Sequence, residues 1–287
     1  MMAGRSSDVP NPLFGDVTLG SDSFIRSLKR ARKSKRTRAV VIRIDSPGGQ
    51  ASAADAMLRE IQRTADEIPV VVSMGDVAAS GGYWITTGAS TLVAEPLTIT
   101  GSIGVFSLFF DTSGLMEEHL GITYDQVQSS PYADMFSGLR PFSDREVRLF
   151  EDVTDDIYDT FVSNISDSRK LPREDVMALG GGRIWTGLAA KERGLVDELG
   201  GLERAIVLAA EQAALEENNY RIRTYPVPQS FFQRMTAQTK LMLLRLGILS
   251  PPSRIHQKIQ AASSYLSSFL DMHGEVLARM PFSVEVN

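Results

Sequence analysis

Ser80 stands immediately before Gly81 and Gly82, where an apolar stretch gives way to the start of a predicted helix. The β-branched run 70–74 upstream predicts a buried strand, and the apolar residues 83–85 downstream predict a short helix. The first amides of a helix have no partners within it, and the helix dipole adds partial positive charge there. A serine hydroxyl at such a point can serve as a nucleophile, with the amide of Gly81 stabilising the oxyanion that forms.

A second glycine-rich turn, Ser-Pro-Gly-Gly at 46–49, ends the neighbouring predicted strand 39–45. Open α/β folds place their sites at the carboxyl ends of parallel strands, so we expect the two turns to meet. The backbone amide of Gly48 or Gly49 would then join that of Gly81 as an oxyanion donor. Each turn has an ordinary alternative, because a serine before two glycines also serves as a helix N-cap and Pro-Gly-Gly also forms plain turns. The two turns on adjacent strands together favour a catalytic serine.

Alternating strand and helix patterns predict the scaffold that positions these turns. Compact apolar runs predict strands over 39–45, 70–74, 91–94 and 122–128, with a loop at 75–79. Ser21 and Asp22 are candidate N-caps of a first helix, and a second helix is predicted over 51–67. This order is typical of right-handed βαβ units with helices outside a mainly parallel sheet, so the predicted fold class is α/β.

The second half of the chain is predicted to be mainly helical. Ser143 and Glu146 match a capping box that opens a long helix, whose apolar face includes Val147, Phe150, Val153, Ile157, Phe161 and Ile165. Further helices are predicted near Trp185 and over 201–217, and a strand over 220–225. We expect a polar N-terminal segment at 1–20, one domain at 21–228, and a weakly packed, partly helical C-terminal tail at 229–287.

Composition excludes several classes of function. The absence of cysteine removes disulfides, thiolate catalysis and zinc–cysteine or iron–sulfur sites, and the three scattered histidines argue against a histidine-rich metal site or a Ser-His-Asp triad. A net charge of −5 argues against a general nucleic-acid binder. No apolar run reaches the length that spans a bilayer, so the chain as written is expected to be soluble.

Residues 26–38 contain eight basic side chains and no acidic one. The ordinary interpretation is the solvated face of the first helix. The alternative is peripheral contact with an anionic membrane surface or an acidic partner.

Five motifs, in order, resemble the S49 peptidase family, the signal peptide peptidase A or protease IV group. They are Arg-Ile-Asp-Ser-Pro-Gly-Gly at 43–49, Met-Gly-Asp-Val-Ala-Ala-Ser-Gly-Gly-Tyr-Trp at 74–84, Thr-Gly-Ser-Ile-Gly-Val at 100–105, Arg-Ile-Trp-Thr-Gly at 183–187 and Gly-Leu-Val-Asp-Glu-Leu-Gly at 194–200. The resemblance covers about residues 16–217. It implies a fold similar to the Clp protease and crotonase group, a serine/lysine peptidase mechanism, and no metal or organic cofactor. By this resemblance Ser80 maps onto the nucleophile, and Gly49 and Gly81 are the preferred oxyanion donors.

The lysine of the implied dyad is not evident in the sequence. Such a lysine must be neutral at working pH, which burial can achieve. Short members of the family carry it in the loop that corresponds to 129–138, and that loop contains no lysine here. The chain's seven lysines lie elsewhere, at 29, 33, 35, 170, 191, 240 and 258. Long members have two tandem units, with the lysine in the N-terminal half and the serine in the C-terminal half. This chain resembles such a C-terminal half, so we expect a lysine-bearing homologous half or another subunit to supply the base.

The resemblance further implies peptide substrates such as cleaved signal peptides, assembly into homo-oligomeric rings or domes, and association with the cytoplasmic membrane of a bacterium. Two other functions remain open at this point. A crotonase-like enzyme acting on acyl-CoA would also use paired backbone amides. An inactive S49-like scaffold that binds peptides or partners is favoured by the missing lysine.

Overall fold

The structure is a computed structural model that describes residues 2–3, 9–10, 17–216, 219–226 and 276–279. Its strands are β1 (Met2–Ala3), β2 (Val9–Pro10), β3 (Val17–Gly20), β4 (Val40–Ser46), β5 (Gly48–Gln50), β6 (Val70–Ala79), β7 (Thr91–Ala94), β8 (Ile99–Gly101), β9 (Phe106–Ser107), β10 (Ile184–Thr186), β11 (Glu198–Leu199) and β12 (Val276–Arg279). Its helices are α1 (Ser21–Arg32), α2 (Ala51–Ala65), α3 (Gly81–Trp84), α4 (Asp144–Arg169), α5 (Arg173–Leu179), α6 (Gly187–Glu192) and α7 (Leu202–Gln212). A 3-10 turn, Ile85–Gly88, continues α3, and a short π-helix, Leu115–His119, lies between β9 and α4.

Strand β6 is the centre of the main sheet. It pairs in parallel with β4 and β7 along its first half and with β8 along its second half, while β11 extends the sheet beyond β7 and β10 lies antiparallel to β8. Residues Val70, Val71, Val72 and Met74 are fully buried, as expected for a parallel strand that is covered on both faces. The predicted α/β class is therefore confirmed.

The sequence prediction ended this strand too early. Residues 75–79 were predicted to be a loop, but β6 runs through them to Ala79. The extension depends on non-local pairing, because Val77, Ala78 and Ala79 align with β8 at Ile99, Thr100 and Gly101. Ser80 therefore follows the strand directly, with no intervening loop to let it move.

Two predicted strands are absent from the described part of the chain. Residues 122–128 are exposed and pair with no strand that the structure describes, and residues 220–225 are also irregular. Both segments have suitable strand composition, but a strand needs a partner edge to satisfy its amides and carbonyls. The predicted strands at 39–45, 70–74 and 91–94 are confirmed by β4, β6 and β7.

Helix α4 begins at the predicted capping box, but only the second half of its predicted apolar face packs in the core. Ser143 Oγ accepts from the amide of Glu146, and the Glu146 carboxylate accepts from the amide of Ser143. Phe161 and Ile165 are fully buried, whereas Val147 and Val153 are exposed by 41% and 38%. The first half of the helix thus extends past the part of the core that the structure describes. The first helix also begins differently, since Gly20 rather than Ser21 or Asp22 is the N-cap of α1.

A second sheet pairs strands from the N-terminal and C-terminal parts of the chain with β5, the strand that contains Gly48 and Gly49 and follows β4. Its order is β2-β3-β1-β5-β12-β9, so the Pro-Gly-Gly strand β5 lies between β1 and β12. Most of the predicted C-terminal tail, including its predicted helical part, lies outside the described residues. The part that is described, β12, is a strand. Within the described residues, no helix has the length and apolar composition needed to cross a bilayer.

Candidate active site

Ser80 occupies the junction between β6 and α3 in a rarely adopted backbone conformation. Its φ is 53° and its ψ is −120°, and its side chain is fully buried. Positive φ is uncommon for a residue with a Cβ and is held only where the surroundings fix it. Two backbone hydrogen bonds do so, from the Ser80 amide to Gly101 O at 2.8 Å and from the Trp84 amide to Ser80 O at 2.7 Å. Strain of this kind concentrates at functional sites.

The end of β6 that carries Ser80 is fixed by side chains as well as by strand pairing. Asp45 Oδ1 accepts from the amide of Val77 at 3.1 Å, and Thr100 Oγ1 donates to Ala78 O at 2.7 Å. These bonds join the ends of β4, β6 and β8. The serine backbone is therefore set by three strands.

Helix α3 is anchored in the core immediately after Ser80. Tyr83 is fully buried, its hydroxyl donates to Leu195 O at 2.7 Å, and burial raises the pKa of that hydroxyl well above its ordinary value. Trp84 stacks on Phe161 of α4 with ring centroids 4.5 Å apart. These contacts hold the first turn of α3, and with it the amide of Gly81, in place. The sequence offered Tyr83 and Trp84 only as apolar helix residues, so their anchoring contacts were missed.

The Ser80 hydroxyl has a backbone partner rather than a basic one. Ser80 Oγ donates to Gly104 O at 3.3 Å, which is long for a hydroxyl donor. Within the part of the chain that the structure describes, no lysine forms a hydrogen bond to this hydroxyl. Lys29 lies 3.8 Å from Glu60 on α2, Lys170 is the C-cap of α4, and Lys191 lies in the last turn of α6. Lys240 and Lys258 are outside the described residues.

The two predicted glycine-rich turns do meet. Ser46 is aligned with Ala78 two residues before Ser80, and β5 contacts α3. A Cβ placed on Gly82 would lie 2.6 Å from Ser46 O, so the backbones of α3 and the Pro-Gly-Gly turn touch directly. The sequence pattern predicted that the two turns meet. It did not show that their close approach depends on Gly82, which has no side chain to collide with Ser46 O.

The structure distinguishes between the two candidate glycines of the first turn. Gly48 has a φ of 118°, and its amide donates to Ser46 Oγ at 3.2 Å. The amide of Gly48 is therefore engaged inside its own turn. Gly49, the next residue, lies in β5, the strand that contacts α3.

Replacing Gly82 by alanine is expected to destabilise the protein, because the added methyl group would overlap Ser46 O. Overpacking of this kind typically costs about 1–3 kcal/mol of unfolding free energy. Urea denaturation of Gly82→Ala should show that loss. Gly114→Ala is the matched control, since nothing lies within 4 Å of a Cβ placed there. Equal stability of the two variants would contradict the direct backbone contact.

The loop at 129–138, which contains no lysine, is held by an ion cluster. Arg140 donates to both carboxylate oxygens of Asp134, at 2.6 and 2.7 Å, and to both of Glu146, at 2.7 and 2.9 Å. Both carboxylates are buried. Hydrogen bonds from Arg140 and from Ser143 lower the pKa of Glu146 to about 2, and Arg140 also lowers the pKa of Asp134.

This cluster predicts an acid-sensitive loop. The pKa of Glu146 is about 2 in the folded chain and about 4.5 when the residue is free, so its stabilising effect is complete above pH 4.5. That effect falls as the pH drops from about 4.5 towards 2. Urea denaturation of the wild type should therefore show decreasing stability across this window, with a smaller decrease for Glu146→Gln. Identical slopes for the two proteins would show that the Glu146 carboxylate is not stabilised by its partners.

The molecule is an α/β protein in which a buried, backbone-strained serine lies where two glycine-rich turns meet. The sequence model of Peptidase family S49 matches residues 62–216, which is more than half of the chain, so the chain belongs to this family. The "Serine protease SPPA, chloroplastic" of Arabidopsis thaliana is 41% identical over 220 residues, covering 75% of this chain. The "Protease 4" of Salmonella typhi is 37% identical over 262 residues, covering 88% of this chain. The family resemblance predicted from the motifs is confirmed.

The matched region is a part of those relatives. This chain spans 32% of the length of the Arabidopsis protein and 42% of that of the Salmonella protein. Among solved structures, a point mutant of ClpP1 from Listeria monocytogenes aligns with 65% of this chain and 86% of its own, at 14% identity and a TM-score of 0.45.

Proposed function

We propose that this chain is a serine endopeptidase that cleaves peptides through an acyl-enzyme on Ser80. The observation that carries the proposal is the conformation of Ser80, a buried serine at positive φ directly before α3, the helix that touches the Pro-Gly-Gly turn. Membership of the S49 family supports the same reaction.

The proposed reaction assigns one role to each group. Ser80 Oγ attacks the carbonyl carbon of the scissile peptide bond and gives its proton to a general base. The amides of Gly81 and Gly49 donate hydrogen bonds to the resulting oxyanion. The base then passes the proton to the leaving amine as the C–N bond breaks, and water hydrolyses the ester that remains on Ser80.

Within the described residues, the hydrogen-bond partner of Ser80 Oγ is not a general base. A peptide carbonyl such as Gly104 O can orient the hydroxyl but is too weak a base to accept its proton. We assign the role to a neutral lysine supplied by a homologous half or by another copy of the chain. If another copy of the chain supplies the base, the specific activity should rise with protein concentration. If a homologous half supplies the base, the specific activity should rise when that half is added. Specific activity unaffected by either change would point to a base within the chain.

The direct test is labelling with a fluorophosphonate probe, which forms a covalent bond to an activated serine. We expect one adduct per chain, located by mass spectrometry on the peptide that contains Ser80. Labelling should disappear in Ser80→Ala and persist in Ser21→Ala, a buried serine in the first turn of α1. An adduct on another serine would place the nucleophile elsewhere.

A second candidate function is an inactive S49-like scaffold that binds peptides. It is favoured by one observation, the absence of a lysine bonded to Ser80 within the described residues. A scaffold would bind an unfolded protein substrate with the same affinity in wild type and Ser80→Ala, and neither protein would cleave it in the presence of a lysine-bearing homologous half. Cleavage by the wild type but not by Ser80→Ala would exclude the scaffold function.

The same family membership supports a proposal for the substrates, partners and membrane contact of the chain. We assign extended peptides such as signal-peptide remnants as substrates, and a homo-oligomer or a lysine-bearing homologous half as partner. The basic segment 26–38 is the candidate for contact with a membrane surface, although two of its residues already pair with α2. Arg32 lies 2.8 Å from Glu60, and Lys29 lies 3.8 Å from the same residue. Sedimentation with anionic vesicles, compared with neutral ones, tests this contact.

A further inference from the structure

The motif at 194–200 takes no part in the proposed reaction, although it contains the residue that anchors α3. Leu195 O accepts from the Tyr83 hydroxyl at 2.7 Å, and both residues are fully buried. Tyr83 lies two residues after Gly81 in the first turn of α3. The backbone of Leu195 therefore supports the helix that presents the proposed oxyanion donor, and any group that fixes Leu195 bears on the candidate active site.

The side chain of Arg169, the last residue of α4, bridges the residues before and after Leu195. Its Nε donates to Gly194 O at 2.9 Å, and its Nη1 donates to Asp197 Oδ2 at 2.9 Å. A further hydrogen bond joins Nη2 to Asp197 Oδ1, so the guanidinium and the carboxylate form a bidentate pair. This geometry fixes the direction as well as the distance of the contact.

Asp197 joins the same segment to the main sheet. Its Oδ2 accepts from the amide of Leu92 at 2.7 Å, and its own amide donates to Leu92 O at 3.0 Å. Leu92 belongs to β7 and is aligned with Val72 of β6, the strand that ends at Ser80. The Arg169 side chain is only 9% exposed, so this connection between α4, the segment 194–197 and the sheet is largely shielded from solvent.

We propose that Arg169 and Asp197 are positioning residues, which set the amide of Gly81 through Leu195 and Tyr83. This proposal rests on the proposed function only for its effect on turnover, because the anchoring of α3 is a statement about hydrogen bonds alone. The carbonyl of Leu195 can hold Tyr83 in one place only if its own segment is held. A displacement of about 1 Å at a catalytic group can lower turnover about 10²-fold, so a small shift of α3 is sufficient for a measurable loss.

The test uses two conservative variants and two matched controls in the full-length chain. Asp197→Asn keeps the size of the side chain but removes its charge, and Arg169→Lys keeps the charge but loses the planar set of donors that reaches both Asp197 and Gly194. Asp159→Asn and Arg173→Lys make the same changes in an exposed ion pair between α4 and α5. Urea denaturation identifies conditions in which every variant is folded.

Hydrogen exchange at the Trp84 amide is the readout that needs no activity. This amide donates to Ser80 O at 2.7 Å and so reports the first turn of α3. Exchange should be at least about tenfold faster in Arg169→Lys and Asp197→Asn than in the wild type, and unchanged in the two controls.

Steady-state kinetics on a fluorogenic peptide provide the second readout. In both variants kcat should fall at least about tenfold while KM stays within about twofold, because the oxyanion forms only in the transition state. Both control variants should keep the kcat of the wild type. A purely structural role would lower the folded fraction and leave kcat of the folded protein unchanged.

Tyr83→Phe tests the route by which the pair acts, because it removes the hydroxyl that donates to Leu195 O. If the pair acts through this bond, Arg169→Lys should lower kcat by less than about twofold in the Tyr83→Phe background, against about tenfold in the wild type. Equal losses in the two backgrounds would show that the pair acts by another route, which overturns the proposal.

The outcomes separate the positioning role from the peptidase assignment. Faster exchange at Trp84 with no turnover in any protein, whichever source of the base is supplied, supports the anchoring of α3 by the pair and contradicts the peptidase assignment. Unchanged exchange in both variants overturns the anchoring, whatever the activity. Faster exchange with unchanged kcat overturns the effect on the oxyanion donor. If Asp197→Asn does not fold, the measurements on Arg169→Lys decide alone.

Discussion

Ser80→Ala is expected to lower peptidase turnover by about 10⁶-fold while leaving the fold intact. Loss of the nucleophile in an acyl-transfer enzyme has an effect of this size, because no other group can form the covalent intermediate. The fold should survive because the hydroxyl makes a single long hydrogen bond, at 3.3 Å, to Gly104 O. A fluorogenic peptide assay, run with whichever source of the base gives the wild type its activity, measures the loss.

The control for this change is Ser21→Ala, which removes a buried hydroxyl in the first turn of another helix. Its turnover should stay close to that of the wild type, and thermal unfolding should show that both variants are folded. If Ser80→Ala keeps turnover within about tenfold of the wild type, Ser80 is not the nucleophile.

Valine at Gly49 or at Gly81 is expected to lower turnover by at least about 10² to 10³-fold, the effect of losing one oxyanion donor. A β-branched side chain at either position would stand beside the donor amide and displace the substrate carbonyl from it. The loss should appear in kcat more than in KM, because the oxyanion forms only in the transition state. Steady-state kinetics of both variants provide the measurement.

Gly114→Val is the matched control, because Gly114 has an ordinary φ of −60° and a Cβ built there meets nothing within 4 Å. It should retain the activity of the wild type. If turnover falls in Gly81→Val but not in Gly49→Val, Gly81 remains a donor and the second donor is a residue other than Gly49. Full activity in both Gly49→Val and Gly81→Val would place the oxyanion hole elsewhere.

The sequence predicted best the parts of the fold that local patterns determine. The runs 39–45 and 70–74 carry enough β-branched residues to predict β4 and β6, and the capping box at Ser143 marks the start of α4. The meeting of the two turns followed from the rule that parallel strands end at one edge of a sheet.

The errors concern features that depend on distant parts of the chain. β6 extends to Ala79 because β8 pairs with it, whereas residues 122–128 are irregular and pair with no described strand. Neither fact can be read from a local window. The hydrogen bond from the Gly48 amide to Ser46 Oγ likewise depends on the geometry of the turn. The sequence cannot reveal it, because Gly48 and Gly49 are the same residue type with the same backbone amide.

The hydrogen bond from Tyr83 to Leu195 has a consequence for the time at which the site forms during synthesis. The two residues are 112 positions apart, and Tyr83 belongs to the helix that presents Gly81 next to Ser80. A ribosome that adds residues at about 5–20 per second takes several seconds to pass from the first to the second. Over that interval the emerging polypeptide contains its serine but lacks the acceptor that anchors the adjacent helix. The growing chain would thus acquire the anchored form of α3 only after Leu195, which lies near the end of the matched family region, has been added.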